Sequence, residues 1–309
     1  MSNSVLYDVP GPKARRRSFI FSIVGVVFIL GVLALLVSAL AAPRVSVNGK
    51  VNPSLLDPSR WDIFSDVQLW LGIGRGLQGT LAMAGVAAVL ALAIGVLFCF
   101  GRTSATVWVR IPTTVLLEFF RGIPVLLLML FTLLVFQTGS YWAGVAGLAI
   151  YNGAIIGEAL RAGIASLPKG QRESGLAIGL TPVQTRFKIE FPQAFRQMLP
   201  IIIAQLVVLL KDTSLAYIIS YPELLRYVMT FLKNYYGSYY QFSLFAVVLA
   251  VYLALNLTLS WIARVVARRT AGGAKGGRGR KNGRRKTIGE PVLLQPDGGA
   301  VGGASTGSL

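Results

Sequence analysis

The sequence predicts an all-α, polytopic membrane protein, and three observations lead to this fold class. Hydrophobic residues make up 54% of the 309-residue chain and charged residues only 14%, whereas about a quarter of a typical soluble domain is charged. Six apolar runs are each long enough to cross a bilayer as a helix, which takes roughly 20 residues. Basic residues are concentrated in every second connection, as they are when successive loops lie on opposite sides of a membrane.

The apolar runs and the charges between them predict the topology. The six predicted transmembrane helices are 19–42, 77–100, 113–136, 141–160, 197–219 and 241–263. Twenty-two of the 30 Lys and Arg residues fall in the N-terminus, in 101–112, in 161–196 and in the tail from Arg264. Positive charge stays on the cytoplasmic side. We therefore expect a multi-pass protein of the plasma membrane with both termini in the cytoplasm, and the net charge of +18 mostly reflects this topology.

These spans divide the chain into segments. The predicted segments are a cytoplasmic N-terminus (1–18), an N-terminal transmembrane helix (19–42), an extracellular loop (43–76), a five-helix core (77–265) with the cytoplasmic loop 161–196, and a disordered basic tail (266–309). The first apolar run exceeds the roughly 7–15 residues of a signal peptide, which favours a retained helix over a cleaved one. The tail is Gly-rich and lacks aromatic residues. We expect it to stay solvated or to contact anionic lipid, and we expect no nucleic-acid partner.

The residue content also excludes several classes of function. The chain has no His and a single Cys, Cys99, so a disulfide, a Cys/His metal site and a His-dependent triad are impossible within it. No P-loop motif occurs. Gly74-x-Gly76-x-x-Gly79 fits the dinucleotide fingerprint, but no strand precedes it, and we expect these small residues to permit close helix packing instead. The chain is therefore predicted to bind no metal or cofactor and to be no enzyme.

The connection 161–196 is polar and patterned like two short helices. Leu167-Pro168 ends the preceding span, and the first helix is predicted to carry Glu173 and to end near Gly179. Thr181-Pro182-Val183-Gln184 reads as a capping box with Pro at the first helical position. The second helix is predicted to run to Glu190 and to stop at Phe191-Pro192. Such a pair is either a rigid lever for a partner or an ordinary loop.

These residues resemble a known family signature. Glu173-Ser174-Gly175-x-x-x-Gly179, followed by nine residues and Ile189-x-Phe191-Pro192, is similar to the EAA loop of ABC-importer permeases, E-A-A-x-x-x-G, nine residues, I-x-L-P. The chain departs from it at Ser174, Gly175 and Phe191. A Gly inside a helix costs about 1 kcal/mol relative to Ala, so the helix is expected to be less rigid here.

The resemblance extends over about residues 70–265, to the polar amino-acid uptake branch. Its motifs occur in order as Gly76-Leu77-x-x-Thr80-Leu81, Arg121-Gly122-Ile123-Pro124, Glu158-Ala159-Leu160-Arg161-Ala162-Gly163, Gly170-Gln171 and Lys211-Asp212-Thr213-Ser214-Leu215. The N-terminal residues Ser4-Val5-Leu6-Tyr7-Asp8-Val9-Pro10-Gly11-Pro12 and the extra first helix resemble glutamate permease subunits.

This resemblance implies a type I importer permease fold, with a five-helix permease core plus one N-terminal helix. It implies alternating access, driven by separate ABC ATPase subunits that hydrolyse ATP with Mg²⁺. It also implies a second permease subunit, identical or homologous, and an extracytoplasmic solute-binding protein. The residues that would couple to the ATPase are Glu173, Ser174, Gly175, Gly179, Ile189 and Pro192. The cargo would be a polar amino acid, with glutamate as the narrower expectation.

Charged residues within the spans add two hypotheses. Lys211 and Asp212 lie about 20 Å along the fifth span, and charges at that depth are costly unless they face a cavity or partners. Together with Thr213 and Ser214 they either line the translocation path or brace the span. The i,i+3 pairs Glu118–Arg121 and Glu158–Arg161 are interfacial salt bridges or part of a gate, and Pro124 is expected to kink the third span.

The connection 220–240 is predicted to hold a short helix that begins after an N-cap at Ser220 and runs to about Lys233. Its surrounding tyrosines form either an interfacial belt or a gate and docking surface. Two other functions remain open for the whole chain. One is a self-sufficient ion-coupled carrier or channel, for which the sequence offers no convincing internal repeat. The other is a membrane enzyme with carboxylate chemistry, for which paired acids in a cleft are lacking.

Overall fold

The computed structural model describes residues 11–45 and 51–272. The α-helices are α1 (Pro12–Ala41), α2 (Val67–Arg102), α3 (Val107–Gly122), α4 (Val125–Phe136), α5 (Gly139–Ala165), α6 (Lys169–Ala177), α7 (Pro182–Thr185), α8 (Phe191–Asp212), α9 (Leu224–Arg226), α10 (Lys233–Tyr236) and α11 (Gln241–Gly272). The strands β1 (Arg44–Val45) and β2 (Val51–Asn52) pair antiparallel, with Arg44 opposite Asn52. Predictions for residues 1–10 and 273–309, among them most of the glutamate-permease-like N-terminus and the basic tail, lie outside the described residues.

The number of membrane crossings agrees with the six predicted. Five helical segments are long and apolar enough to span a bilayer, and α3 with α4 supplies a sixth if the two form one broken span. The angle between α3 and α4 is 104°, which is a full break where the sequence predicts only a kink. Its cause lies at Ile123 and Pro124: Ile123 is extended, as the residue before a proline prefers, and Pro124 caps α4.

Helix α5 lies at the centre of the core. Two thirds of its most apolar stretch is buried by contacts with α2, α4 and α8. Its contact with α2 depends on small residues: a Cβ on Gly153 would lie 2.7 Å from Ile94 Cγ2, and one on Gly95 would lie 2.7 Å from Ile156 Cγ2. Such residues let membrane helices approach closely. In contrast, the most apolar stretch of α1 has no buried residue, so α1 lies outside this core.

Helix α2 begins ten residues before the predicted second span. The Asp66 carboxylate accepts a hydrogen bond of 2.8 Å from the backbone N–H of Gln68, which is the bond of an N-cap. The part of the predicted 43–76 loop from Val67 onward is therefore helical. Its earlier part contains the two strands and two short 3₁₀ turns, Pro58–Arg60 and Asp62–Ser65.

Candidate functional site

The polar unit at residues 169–190, called here the loop unit, begins with α6. This helix closes with a Schellman motif, in which Leu180 N–H donates to Gly175 O at 3.1 Å and Gly179 N–H donates to Leu176 O at 3.0 Å. Gly179 has φ of +85°, and no atom lies close to where its Cβ would be. The glycine is required by this backbone conformation, which side chains disfavour.

The capping box predicted at Thr181 is confirmed, because Gln184 N–H donates to Thr181 Oγ1 and Thr181 N–H donates to Gln184 Oε1. The predicted helix end at Phe191-Pro192 is wrong. A π-helical stretch, Arg186–Glu190, joins α7 to α8, and Phe191 N–H bonds back to Arg186 O. Pro192 follows this stretch directly, so the bond that its missing N–H cannot make falls within the π-helical turn. The second helix of the loop unit is therefore continuous with the fifth span.

The two helices of the loop unit meet at Gly175. This glycine is buried, and a Cβ on it would lie 2.5 Å from Thr185 Cγ2 and 3.0 Å from Ile189 Cδ1. The Ala that the family signature carries here would therefore collide with Thr185. Gln193 Nε2 also donates to Gln171 Oε1 at 3.0 Å, which ties α6 to the start of α8. Gly175 lowers helix propensity, but it permits close packing.

The opposite side of the loop unit is exposed. Among the predicted coupling residues, Glu173, Ser174, Gly179 and Pro192 are exposed, Ile189 is half-buried and Gly175 is buried. Large apolar side chains of the loop unit are also exposed: Leu176, Ile178 and Val183 are between 42% and 74% exposed, whereas the partly exposed Phe187 stacks on Phe100 of α2. Several exposed large apolar side chains among polar residues are typical of a surface that another protein covers.

The two predicted ion pairs belong to one network. Glu118 accepts from Arg121 at 3.0 Å, and Glu158 accepts from Arg161 at 2.8 Å. Arg102, at the end of α2, contacts both carboxylates and lies 3.0 Å from Glu118 Oε1. Sequence reasoning missed this bridge because Arg102 has no helical spacing relation to either glutamate. The network connects the ends of α2, α3 and α5.

The hypothesised path residues lie at the end of α8. Lys211 is exposed and Asp212 is half-buried; neither forms an ion pair within the described part of the chain. Thr213 is fully buried, and its hydroxyl donates to Leu210 O at 2.6 Å. Ser214 is half-buried and its hydroxyl donates to Lys211 O at 2.9 Å.

A second polar contact in the core was not predicted. Asn152 on α5 is fully buried, and its Nδ2 donates to Leu148 O at 2.8 Å. Gln205 on α8 donates from Nε2 to Asn152 Oδ1 at 2.7 Å. The pair ties α5 to α8 inside the bundle, where an unpaired amide would be costly. Sequence reasoning gives no signal for it, because the two residues are 53 positions apart.

Residues 218–240, called here the wedge segment, are inserted against α2. The predicted N-cap is wrong: Ser220 has φ of +67° and lies before the helix, whereas Glu223 accepts from Leu225 N–H and Arg226 N–H at 2.8 and 2.7 Å. Glu223 is fully buried and also accepts from Tyr252 at 2.6 Å. Burial raises the pKa of the Glu223 carboxyl, which these hydrogen bonds partly offset.

Glycines at the start of α2 receive the wedge segment. A Cβ on Gly76 would lie 2.9 Å from Leu224 Cα, and one on Gly79 would lie 2.7 Å from Pro222 O. Leu224 N–H donates to Thr80 Oγ1 at 3.0 Å. The close packing expected of the Gly74–Gly79 motif therefore occurs at Gly76 and Gly79, with backbone as the partner.

Tyrosines fasten the other end of the wedge segment. Tyr236 donates to Asp66 Oδ2 at 2.7 Å and Tyr240 donates to Asp62 Oδ2 at 3.3 Å. Ser59 and Tyr239 share a hydrogen bond of 2.7 Å. These three hydroxyls act as local structural contacts, which adds a role to the belt and docking alternatives.

The sequence is similar to a known protein family and to several of its members. A family described as "Binding-protein-dependent transport system inner membrane component" matches residues 88–272. The glutamate transport system permease protein GluD of Corynebacterium glutamicum is 40% identical over 205 residues, which cover 62% of this chain and 75% of that protein. The glutamate/aspartate import permease protein GltK of Escherichia coli is 30% identical over 186 residues, 55% of this chain and 82% of that one.

Solved structures give the same fold. The crystal structure of an amino acid ABC transporter with histidines matches with a TM-score of 0.60 and 26% identity, over 67% of this chain and 98% of that chain. An inward-facing form of the MetNI methionine ABC transporter matches with a TM-score of 0.55 and 20% identity, over 66% and 99% of the two chains.

Proposed function

The chain belongs to the family of binding-protein-dependent transport system inner membrane components, and from this premise we propose how it is driven and what it carries. It is a multi-pass membrane permease of an ABC importer, and its relatives favour this function over an ion-coupled carrier or channel. As a transport permease it moves its cargo across the membrane; we propose that it catalyses no reaction itself.

The proposed drive enters through the loop unit. One observation carries this proposal: the exposed unit continues without a break into the fifth span, from Pro182 to Tyr217. A force applied to α6 is transmitted through the Gly175–Thr185 contact to α7 and then along α8. Glu173, together with the exposed Leu176 and Ile178, would be the surface that a separate ATPase holds.

The same proposal assigns the partners. ATP and Mg²⁺ would be bound and hydrolysed by ATPase subunits beneath the loop unit, with none bound by this chain. A second permease, identical or related, would complete the path, and an external solute-binding protein would deliver the cargo. The positive-inside rule then puts the loop unit, both termini and the Arg102 network on the cytoplasmic side, and the wedge segment outside.

The proposed cargo is a polar amino acid, with glutamate first among the candidates. The relatives named for glutamate or glutamate and aspartate support this, at 40% and 30% identity. Lys211 and Asp212 offer opposite charges that would attract a carboxylate and an ammonium. Because neither has an ionic partner in the described part of the chain, lining the path is favoured over bracing the span. Ser214 would contribute polar surface, and the buried Thr213 would support the turn.

The coupling proposal is tested by reversing the charge at Glu173. In vesicles supplied with ATP and binding protein, Glu173→Lys is expected to lower uptake at least about tenfold, because an ATPase contact of about 1.4 kcal/mol or more is lost. Glu173→Asp is the matched control, since it keeps the negative charge at the same exposed position. Co-purification of the ATPase with each variant is measured in parallel. Full ATP-driven uptake and full ATPase association in Glu173→Lys would refute the coupling role.

The path proposal is tested separately. Binding-protein-dependent uptake of labelled glutamate is expected to fall in both Lys211→Met and Asp212→Asn, while ATPase association stays unchanged. Competition by aspartate, glutamine and arginine then ranks the cargo. Unaltered uptake in both variants would leave these residues outside the path without affecting the coupling proposal.

A further inference from the structure

A cavity of about 620 Å³ lies between the loop unit and the ends of α2 and α5. Its cationic lining residues come from both sides of the gap: Arg102, Arg161, Lys169, Arg172 and Arg186. Two carboxylates, Glu173 and Glu190, also line it. A third, Glu158, is held by Arg102 and Arg161. Arg102 also contacts Glu118, whose charge is balanced by its pair with Arg121. Five cations then face three carboxylates, which leaves the cavity positive.

Donors in this cavity are left without acceptors. The Nε–H of Arg186 is buried and has no hydrogen-bond partner among the described residues. The nearest carboxylate oxygen, Glu190 Oε2, is 3.8 Å away, which is too far for a hydrogen bond. Helix α6 starts at the same cavity without a side-chain cap and without an acidic residue in its first turn. Its free N–H groups add to the positive potential.

A second cavity of about 290 Å³ shares two of these arginines, Arg102 and Arg161. Its other lining residues belong to α3 and are the polar Arg110 and Thr114 and the apolar Ile111 and Val115. These two side chains are 55% and 62% exposed, on a helix that forms part of a membrane span. The paired cavities are therefore both cationic, and the second also offers the exposed apolar side chains of Ile111 and Val115.

We propose that the paired cavities bind the phosphate group of an anionic phospholipid, with one acyl chain along Ile111 and Val115. Basic pockets between membrane helices at the cytoplasmic level are suited to such head groups. An arginine guanidinium can donate two parallel hydrogen bonds to phosphate oxygens. The apolar side chains of Ile111 and Val115 favour a lipid over a free anion, because a free anion has no acyl chain to contact them. The cavity shares Glu173 and Leu176 with the surface assigned to the ATPase. Lipid binding is measured directly, so a failure of this inference is distinguishable from a failure of the coupling role.

The test uses the full-length chain in its assembled transporter, purified in detergent. Binding of dioctanoyl phosphatidylglycerol, dioctanoyl phosphatidylcholine and inorganic phosphate is titrated by native mass spectrometry. We expect saturable phosphatidylglycerol binding that is at least about tenfold tighter than that of phosphatidylcholine. Arg186→Gln and Arg172→Gln should each weaken it about fivefold, as expected for one near-surface charge. Lys188→Gln is the matched control, because Lys188 is exposed in the same loop and does not line the cavity.

Three results would overturn the proposal. Equal binding of the two lipids would show that the head-group charge is not recognised. Phosphatidylglycerol binding that is unchanged in both Arg variants would place the lipid elsewhere, as would be found if an acidic side chain of the ATPase filled the cavity. Saturable binding of inorganic phosphate at Arg186 with no lipid binding would identify a free anion as the ligand. Arg172 is exposed, so its variant keeps the test valid if Arg186→Gln does not fold.

Discussion

The loop unit and the wedge segment are built alike and held differently. Each is a short helical segment between spans, and each includes a π-helical stretch, Arg186–Glu190 in one and Tyr227–Leu232 in the other. The wedge segment presses its backbone against Gly76 and Gly79 and buries the carboxylate of Glu223. Within the loop unit the two helices meet through side chains, at Gly175, and the outer residues of the unit are exposed.

We therefore expect the wedge segment to be held rigidly against α2 and the packing of the loop unit to be adjustable. A backbone contact cannot move aside, so the wedge segment and the start of α2 must shift together. A contact with the end of a side chain can adjust, and an exposed apolar face can accept a partner. The comparison predicts that equivalent substitutions in the two regions have unequal effects.

The largest effect is expected from Gly79→Val. The added side chain would meet Pro222 O, which would force the wedge segment off α2. Overpacking of this kind costs about 3 kcal/mol or more when backbone must move. We expect a drop of that size in the free energy of unfolding, measured by SDS titration, with loss of uptake. Gly74→Val and Gly85→Val are matched controls on the same helix, because no atom lies within 4 Å of either Cβ position. Equal losses in all three variants would mean that the valine itself disturbs α2, and the inference that the wedge segment is held rigidly would fail.

Removing the buried carboxylate should have the next largest effect. Glu223→Ala leaves Leu225 N–H, Arg226 N–H and the Tyr252 hydroxyl without their acceptor. Unsatisfied buried donors cost about 1–3 kcal/mol each, and part of this is recovered by relaxation. A loss of about 2 kcal/mol in unfolding free energy is therefore expected. Glu223→Gln keeps one acceptor oxygen and should lose about half as much. An alanine variant as stable as the parent chain would show that water replaces the carboxylate, and the wedge segment would then be loosely held.

The same contrast explains which features could be predicted from sequence. Local chemistry was sufficient for the Thr181–Gln184 capping box and for the helix end at Gly179, because each is determined within a few residues. The number of spans followed from apolar length and charge. These are short-range or compositional signals.

Contacts between distant residues could not be predicted. Arg102 reaches Glu158, 56 positions away, and Leu224 reaches Thr80 across 144 positions. At Pro192 a π-helical turn carries the helix onward, whereas at Pro124 the chain breaks by 104°. Proline alone does not distinguish the two outcomes, because the packing around it decides between them. The N-cap is Glu223 and not the predicted Ser220 for the same reason. The Glu223 carboxylate accepts a hydrogen bond from Tyr252, which is 29 positions away in the sequence.

A smaller effect is expected where the contact is made by side chains. Gly175→Ala gains helix propensity of about 1 kcal/mol but brings a Cβ within 2.5 Å of Thr185 Cγ2. We expect a net loss of about 1 kcal/mol in unfolding free energy. Thr185→Ala should relieve the collision, and it also removes a buried hydroxyl that has no hydrogen-bond partner among the described residues. The double variant is therefore expected to be at least as stable as the parent, which a double-mutant cycle measures as positive coupling. No rescue by Thr185→Ala would mean that backbone holds the loop unit too, and the contrast with the wedge segment would disappear.

The smallest effect is expected from Ser174→Ala, which restores the first alanine of the family signature on the exposed face of α6. Ala exceeds Ser in helix propensity by about 0.5 kcal/mol, so the α6 amides should exchange hydrogen about twofold more slowly. Because the Ser174 hydroxyl makes no hydrogen bond in the described part of the chain, global stability should stay within about 0.5 kcal/mol of the parent. Uptake is measured alongside exchange, with Lys188→Ala as an exposed control on the neighbouring helix. Slower exchange with unchanged uptake would show that local stiffness of α6 does not limit transport. A large change in uptake without a change in exchange would instead mean that the hydroxyl itself contacts the partner protein. The partner would then recognise the loop unit more specifically than its exposed surface predicts.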